Sequence, residues 1–290
     1  MKGTLRVYIG YDRREPLAYE VARHSLLEHV PDGSVEVYPV KQQELRELGI
    51  WYRPKDRKGS TEFSLTRFLV PYLTDFDGWA LFVDCDFIFM GDIMEYIEDM
   101  DNDDLPVYVC RHRYTPRQIG TKMDGMKQYV YPKKNWSSCM LFNCSHPLLR
   151  VLNKRYVNEV NPSDLHEFKW LPGDDFIGEL PLTYNWLAGE PDYSREALED
   201  YIEKNDPPHI WKDGKYYPIA FHYTLGSVLF QAVDPKYASR EDYPYMYDYM
   251  MEEVNPIFVE LAEKVRGKPW KEILEEEREY LKNLKNYDVG

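Results

Sequence analysis

Cysteine is scarce in this 290-residue chain, which has 4 and none spaced as Cys-x-x-Cys, so a small disulfide-stapled scaffold is excluded. Sustained basic runs are missing too. With 36 Lys+Arg against 50 Asp+Glu the net charge is -14, and no Lys/Arg block exists to neutralise a phosphate track, which argues against a nucleic-acid partner. No apolar run approaches 18 residues, so no transmembrane segment is expected. The opening MKGTLRVYIGY has no basic region, apolar segment or small-residue cleavage site, and a soluble, cytoplasmic, unprocessed protein is the expectation. No Gly-x-Gly-x-x-Gly follows the first strand candidate, which weighs against a dinucleotide dehydrogenase.

What is present is a foldable composition. A hydrophobic content of 43% and an aromatic content of 15% exclude disorder, and the length suffices for one large domain or two modest ones. The acidity has a corollary: any anionic substrate must be held by a few local basic groups, or by a metal that reverses the local sign.

Patterning places strands at 5–9, 35–40, 79–83, 106–110 and 139–143. Helices are expected over 15–29, 61–72 and 147–160, with a short helical piece at 174–180 and a short extended one at 184–187. Residues 50–60 read as an exposed loop, and 188–218 as loops over a cleft or a lid. From about Tyr245 the chain turns helical again, with Pro269 separating two helices. Alternation of strand and helix in the first half predicts an α/β domain with ligands at the carboxyl ends of strands. A catalytic domain over 1–240 and a helical extension over 241–290 are expected.

The run Leu81-Phe-Val-Asp84-Cys-Asp86-Phe-Ile-Phe89 is the most informative. A carboxylate in an apolar run costs several kcal/mol of desolvation unless paired or metal-bound. In extended backbone, residues i and i+2 point to one side, so Asp84 and Asp86 can converge on a hard cation such as Mg2+ or Mn2+. Alternatively, both acids end strands at a solvated turn. His222, after Tyr217-Pro-Ile-Ala-Phe221, is a third ligand or a structural core imidazole. His112, within Arg111-His-Arg113, reads as an anion contact or part of a solvated charge cluster. Trp136, Trp170 and Trp186 either pack in the core or offer a ring to a sugar.

The acidic pair, about 75 residues after Tyr8-Ile-Gly-Tyr-Asp12, resembles the Asp-any-Asp signature of nucleotide-sugar glycosyltransferases with the GT-A fold. In detail the chain is similar to the retaining family that includes glycogenin and the lipopolysaccharide galactosyltransferases, glycosyltransferase family 8. The resemblance spans roughly residues 5 to 230. It implies a Rossmann-like nucleotide-diphospho-sugar transferase fold with a mixed central sheet and a helical C-terminal extension. By similarity Tyr8, Gly10, Tyr11 and Asp12 line the base and ribose site, Arg67 reaches the donor, and Asp84, Asp86 and His222 ligate Mn2+, with Mg2+ as the alternative ion. Asn143, closing Ser137-Ser-Cys-Met-Leu-Phe-Asn143, and Asp174 or Asp175, in Leu171-Pro-Gly-Asp-Asp175, are implied near the transferred sugar, Asp175 the preferred carboxylate. The family's diphosphate lysine lies in a Lys-Pro-Trp group soon after the histidine motif. Here Lys268-Pro-Trp270 stands over forty residues beyond His222, and that role is not carried over.

The implied reaction is metal-dependent transfer of a sugar, with retention, from a nucleotide diphosphate donor such as a UDP-sugar to a glycan or other acceptor hydroxyl. Two alternatives use similar parts: a nucleotidyltransferase acting on a sugar phosphate, and a noncatalytic sugar- or nucleotide-binding module. The sequence leaves the donor sugar, the acceptor and the oligomeric state open.

Overall fold

The structure, a computed structural model, describes residues 4–54, 61–97, 104–113, 121–122, 126–127, 133–224 and 250–287. The expected domain boundary at 240/241, the helical start at Tyr245 and loop residues 55–60 lie outside the described residues.

The first half holds β1 (Leu5–Tyr11), α1 (Pro16–His29), β2 (Val35–Lys41), α2 (Gln42–Glu47), α3 (Val70–Leu73), β3 (Trp79–Val83), β4 (Phe87–Phe89), α4 (Met94–Ile97) and β5 (Val107–Cys110). After a small hairpin, β6 (Thr121–Lys122) and β7 (Met126–Lys127), come β8 (Cys139–Asn143), α5 (Lys154–Glu159), α6 (Pro162–His166), β9 (Ile177–Leu180) and β10 (Trp186–Ala188). Then follow α7 (Arg195–Asn205), β11 (Ile210–Lys212), β12 (Lys215–Tyr217), β13 (Ala220–Tyr223), α8 (Asn255–Arg266) and α9 (Trp270–Tyr287).

Six strands form the main sheet in the order β2-β1-β3-β8-β5-β9. It is mixed, as expected: β8 runs antiparallel to both β3 and β5, while the other pairings are parallel. A second sheet, β10-β13-β4, stands beside it. The chain crosses from one sheet to the other between β3 and β4, and that crossing is the Asp84-Cys85-Asp86 turn.

Helix α1 starts with Pro16 in its first turn, where the missing N–H costs nothing, and buries Leu17, Ala18, Val21, Ala22 and Leu26. Its Ser25 Oγ accepts from the β4 amide of Phe89 at 3.1 Å, tying the helix to the second sheet. Helix α8 packs on α1, and Phe258 and Ala262 enter the same apolar cluster as Leu17, Val21, Ile88 and Tyr223. Ion pairs of Arg266 with Glu20, at 2.6 Å, and of Lys264 with Glu28 rim this contact. Gly267, at φ 62°, ends α8 and Pro269 stands before α9, as the sequence predicts.

Several elements differ from expectation. In place of a helix over 61–72 there is one 3-10 turn, Thr66–Leu69, followed by the single turn of α3. Pro71 explains it: proline is tolerated in a first turn and not in a helix interior. The 174–180 piece is a 3-10 turn, Asp174–Phe176, running into β9, where a Cβ on Gly178 would lie 2.0 Å from the Tyr108 ring. The extended reading of 184–187 holds from Trp186 onward, and 147–160 is a 3-10 turn and α5 separated at Asn153, which caps α5. The span 188–218 contains α7, capped by Ser194, and the β11–β12 hairpin, whose Asp213-Gly214 loop has φ of 52° and 77° as a two-residue turn requires. Trp51, expected in an exposed loop, is 3% exposed.

Because Phe258 is buried in a cluster shared by α1, the second sheet and α8, Phe258→Ala should cost roughly 3–5 kcal/mol. Urea unfolding followed by fluorescence should show one cooperative transition moved to lower denaturant. An unmoved midpoint would show that α8 adds nothing to the stability of that core.

Candidate metal and donor site

The Asp84-Cys85-Asp86 turn is pinned from both sides. The Asp84 N–H donates to Ser138 O at 3.0 Å on the main-sheet side, and the Tyr223 N–H donates to Asp86 O at 2.9 Å on the second-sheet side. Between them Cys85 is fully buried, so the two flanking side chains are turned outward together. The expectation that they converge is met, through a turn and not through a continuous strand.

His222 enters from β13, whose register sets it opposite Phe87. The two rings stack at 4.7 Å between centroids. The imidazole Nε2 lies 3.5 Å from Asp86 Oδ1 and 4.0 Å from Asp84 Oδ2. One ligand atom from each of Asp84, Asp86 and His222 falls within a sphere of mutual distances under 4.8 Å. Two carboxylate oxygens and one imidazole nitrogen suit a borderline-hard divalent ion such as Mn2+, and leave room for oxygen ligands from a substrate. The donor set fits the cation implied by the fold.

Arg67, from the 3-10 turn, is 5% exposed and points at the same place. Its Nη1 is 2.7 Å from Asp84 Oδ1 and donates to Ser137 O at 2.8 Å, and Nη2 donates to Asp84 Oδ2 at 3.4 Å. The guanidinium lies over the rings of Phe63 and Phe82, at 5.3 and 5.0 Å. These walls fix the fork geometry that a two-point grip on a carboxylate requires.

The remaining candidates are placed as follows. Tyr8 is buried and stacks on Tyr38 at 5.3 Å, and desolvation pushes its hydroxyl up to about 12. Gly10 is required by Phe63, whose ring would lie 2.6 Å from an added Cβ. Tyr11 stays partly exposed, its ring edge-on to Tyr19 and under Lys41 Nζ. Asp12 is fully buried; it binds Arg14 at 2.6 Å and accepts from the Glu62 N–H at 3.1 Å, joining the β1 loop to the segment that carries Phe63 and Arg67. Tyr280 of α9 reaches this loop, donating to Arg13 O at 2.9 Å.

Asn143 stands apart from the cluster. Because β8 is antiparallel to β3, Ser137 and Ser138 adjoin the acidic turn while Asn143 pairs with Trp79 at the opposite edge, five residues or about 16 Å along the strand. Asp174 and Asp175 are exposed at the entry to β9, and Asp174 pairs with Lys133 at 2.5 Å. Trp136, Trp170 and Trp186 are buried, each indole N–H donating to a backbone carbonyl, so they serve packing.

Asn185 adjoins the cluster and was not among the residues assigned to the site from the sequence. Asn185, fully buried, sits behind His222 with Oδ1 2.9 Å from Nδ1, and the polar residue between Tyr184 and Trp186 in an apolar segment was the available signal. His112 is no solvated anion contact. It is buried, its Nδ1 lies 2.7 Å from Tyr193 Oη, and desolvation lowers it from an ordinary 6.5 to about 3.

That depressed value has a defined sign. Between pH 6.5 and 3 the unfolded chain binds a proton at His112 that the native state does not, so stability present above pH 6.5 is lost as pH falls, at up to about 1.4 kcal/mol per pH unit. Urea titrations of His112→Gln between pH 7 and 4.5 should decline less steeply than the wild type. Equal slopes would show that His112 titrates alike in both states.

No protein-family model matches the chain. Among solved structures it is similar to the WbbM bifunctional glycosyltransferase in its apo form, with 11% identity, 96% of this chain and 52% of that chain covered, and a TM-score of 0.52. This chain thus spans about half the length of that protein. It is also similar to the galactosyltransferase LgtC solved with donor and acceptor sugar analogues, with 12% identity, 90% and 96% coverage and a TM-score of 0.48. The WbbM likeness bears on architecture alone, and agrees with the mixed sheet and C-terminal helices of a GT-A fold. In sequence the chain is 41% identical over 233 residues to Protein CDI of Arabidopsis thaliana, covering 80% of this chain and 82% of that one. Identity at this level across most of both chains places this GT-A-fold protein in the family of Protein CDI.

Proposed function

We propose that the protein is a metal-dependent glycosyltransferase that moves a sugar from a nucleotide diphosphate, a UDP-sugar, to an acceptor hydroxyl with retention at the anomeric carbon. The likeness to glycogenin and its relatives supplies the donor class and the retention in this reading. The observation that carries it is the convergence of Asp84, Asp86 and His222 beside Arg67 at the carboxyl end of β3, on a GT-A fold.

In this reaction the bond from the anomeric carbon to the phosphate oxygen breaks and negative charge grows on the departing diphosphate. Asp84, Asp86 and His222 would hold a divalent ion, which would supply Lewis-acid stabilisation of that charge. Arg67 keeps the Asp84 carboxylate in one orientation and places a fixed positive charge beside the diphosphate. Of the β1 group, Tyr11 offers a ring partly open to solvent and is assigned to the base, with Asp12 bracing the loop. Asp174 is engaged by Lys133, so Asp175 is the carboxylate assigned to the sugar. The net charge of -14 makes this local neutralisation necessary for any diphosphate to approach.

Calorimetric titration with UDP, GDP and CDP, each with and without manganese, tests the reading. Binding should be confined to UDP and depend on manganese. Asp86→Asn should remove the metal-dependent binding and leave the metal-free fold at least as stable, since one of two crowded negative charges is gone. Nucleotide binding that ignores both manganese and this substitution would refute the assignment, and pyrophosphate release from a nucleoside triphosphate and a sugar phosphate would replace it with a nucleotidyltransferase.

A further inference from the structure

We infer that Asn185 is a positioning residue that holds the His222 ring as its Nδ1–H form and so presents the Nε2 lone pair to the ion between Asp84 and Asp86. The inference deepens the metal-dependent reading and rests on it for the ion.

The Asn185 amide nitrogen lies 2.9 Å from Ser138 Oγ and 3.5 Å from the carbonyl oxygen of Asn135. Ser138 Oγ donates its own proton to that same carbonyl at 2.7 Å. The serine oxygen therefore accepts, and a carbonyl only ever accepts, so the end of the Asn185 side chain that faces both must be its NH2. A flipped amide would set its oxygen against two acceptors in a site that is fully buried, and burial makes that arrangement costly.

With the amide fixed, Oδ1 is the atom 2.9 Å from His222 Nδ1. An oxygen there requires a donor, so Nδ1 carries a proton. Nε2 is then the nitrogen turned toward the two carboxylates, at 3.5 and 4.0 Å. Phe87, stacked on the ring at 4.7 Å, prevents rotation of the imidazole plane, so Asn185 and Phe87 set tautomer and tilt between them. Asn185 and Ser138 come from different sheets, Asn185 just before β10 and Ser138 just before β8, and the relay thus locks the histidine to the main sheet across the seam. Partners of this kind, one bond behind a metal-ligating histidine, characteristically change metal affinity about 10–100-fold when removed.

The test pairs two readouts on the full chain. Nitrogen-15 and carbon-13 NMR of the metal-free protein at pH 8 reports which ring nitrogen of His222 is protonated, and EPR titration with Mn2+ in the presence of UDP reports affinity. The wild type should show Nδ1–H. Asn185→Leu should lose the preference for a proton on Nδ1 and bind Mn2+ about 10–100-fold more weakly. If Asn185→Leu does not fold, Ser138→Ala serves, because it releases the amide and should mix the two ring forms. An Nδ1 without a proton in the metal-free wild type, or wild-type Mn2+ affinity in a folded Asn185→Leu protein, would overturn the assignment. A wild type that binds no Mn2+ would overturn the proposed function instead, with the ring state still deciding the role of Asn185.

Discussion

Two carboxylates held side by side at low exposure repel each other and resent the loss of water, and much of this protein is arranged around tolerating that. Asp84 and Asp86 have side chains only 15% exposed. Arg67 answers one of the two charges directly, and its own burial is made acceptable by the Ser137 carbonyl and by aromatic rings above and beside the guanidinium. A short 3-10 turn delivers Arg67 to this place, and the Asp12–Glu62 contact ties the same segment to the β1 loop. The imidazole of His222 is the neighbour of the second charge at 3.5 Å. Two close carboxylates beside an imidazole nitrogen are a setting in which a divalent cation is favoured.

Much of the framework was legible in the residues. The β1, α1, β2 and β3 segments declared themselves by apolar runs and helical spacing, and the acidic pair stood out because charge interrupted an otherwise buried strand. His222 was legible because it follows an apolar strand. The direction of β8 was not. Sequence spacing cannot say whether a strand runs with or against its neighbour, and that single fact decides that Ser138 and not Asn143 reaches the acidic turn. The same blindness applied to β4: its three residues are too few to show a period, so the change of sheet after Asp86 was invisible. Asn185 was hidden for a different reason, since a buried amide is recognised by its partners, and these come from a segment some fifty residues earlier.

The helical errors share a cause as well. Segments 61–72, 147–160 and 174–180 have enough apolar residues to suggest helices, and each is interrupted by a residue with a local demand: Pro71, Asn153 and Gly178. Backbone constraint there overrides side-chain periodicity. The Asp213-Gly214 turn is the converse case, a two-residue signal strong enough to build a hairpin inside what composition suggested was a loop. The C-terminal helices follow expectation: α9 is densely charged, and its apolar Ile273 is buried in the cluster of the second sheet.

The placement of the acidic turn at the boundary of two sheets has a mechanical consequence. Asp84 belongs by its backbone hydrogen bond to one sheet, while Asp86 and His222 belong to the other. Anything that binds all three is a rivet through the joint, and its binding free energy adds to the cohesion of the two halves of the molecule. Conversely, a small slide of one sheet against the other changes the spacing of the three side chains at once, so the joint carries packing away from the turn, including that of α8 on α1, into their geometry.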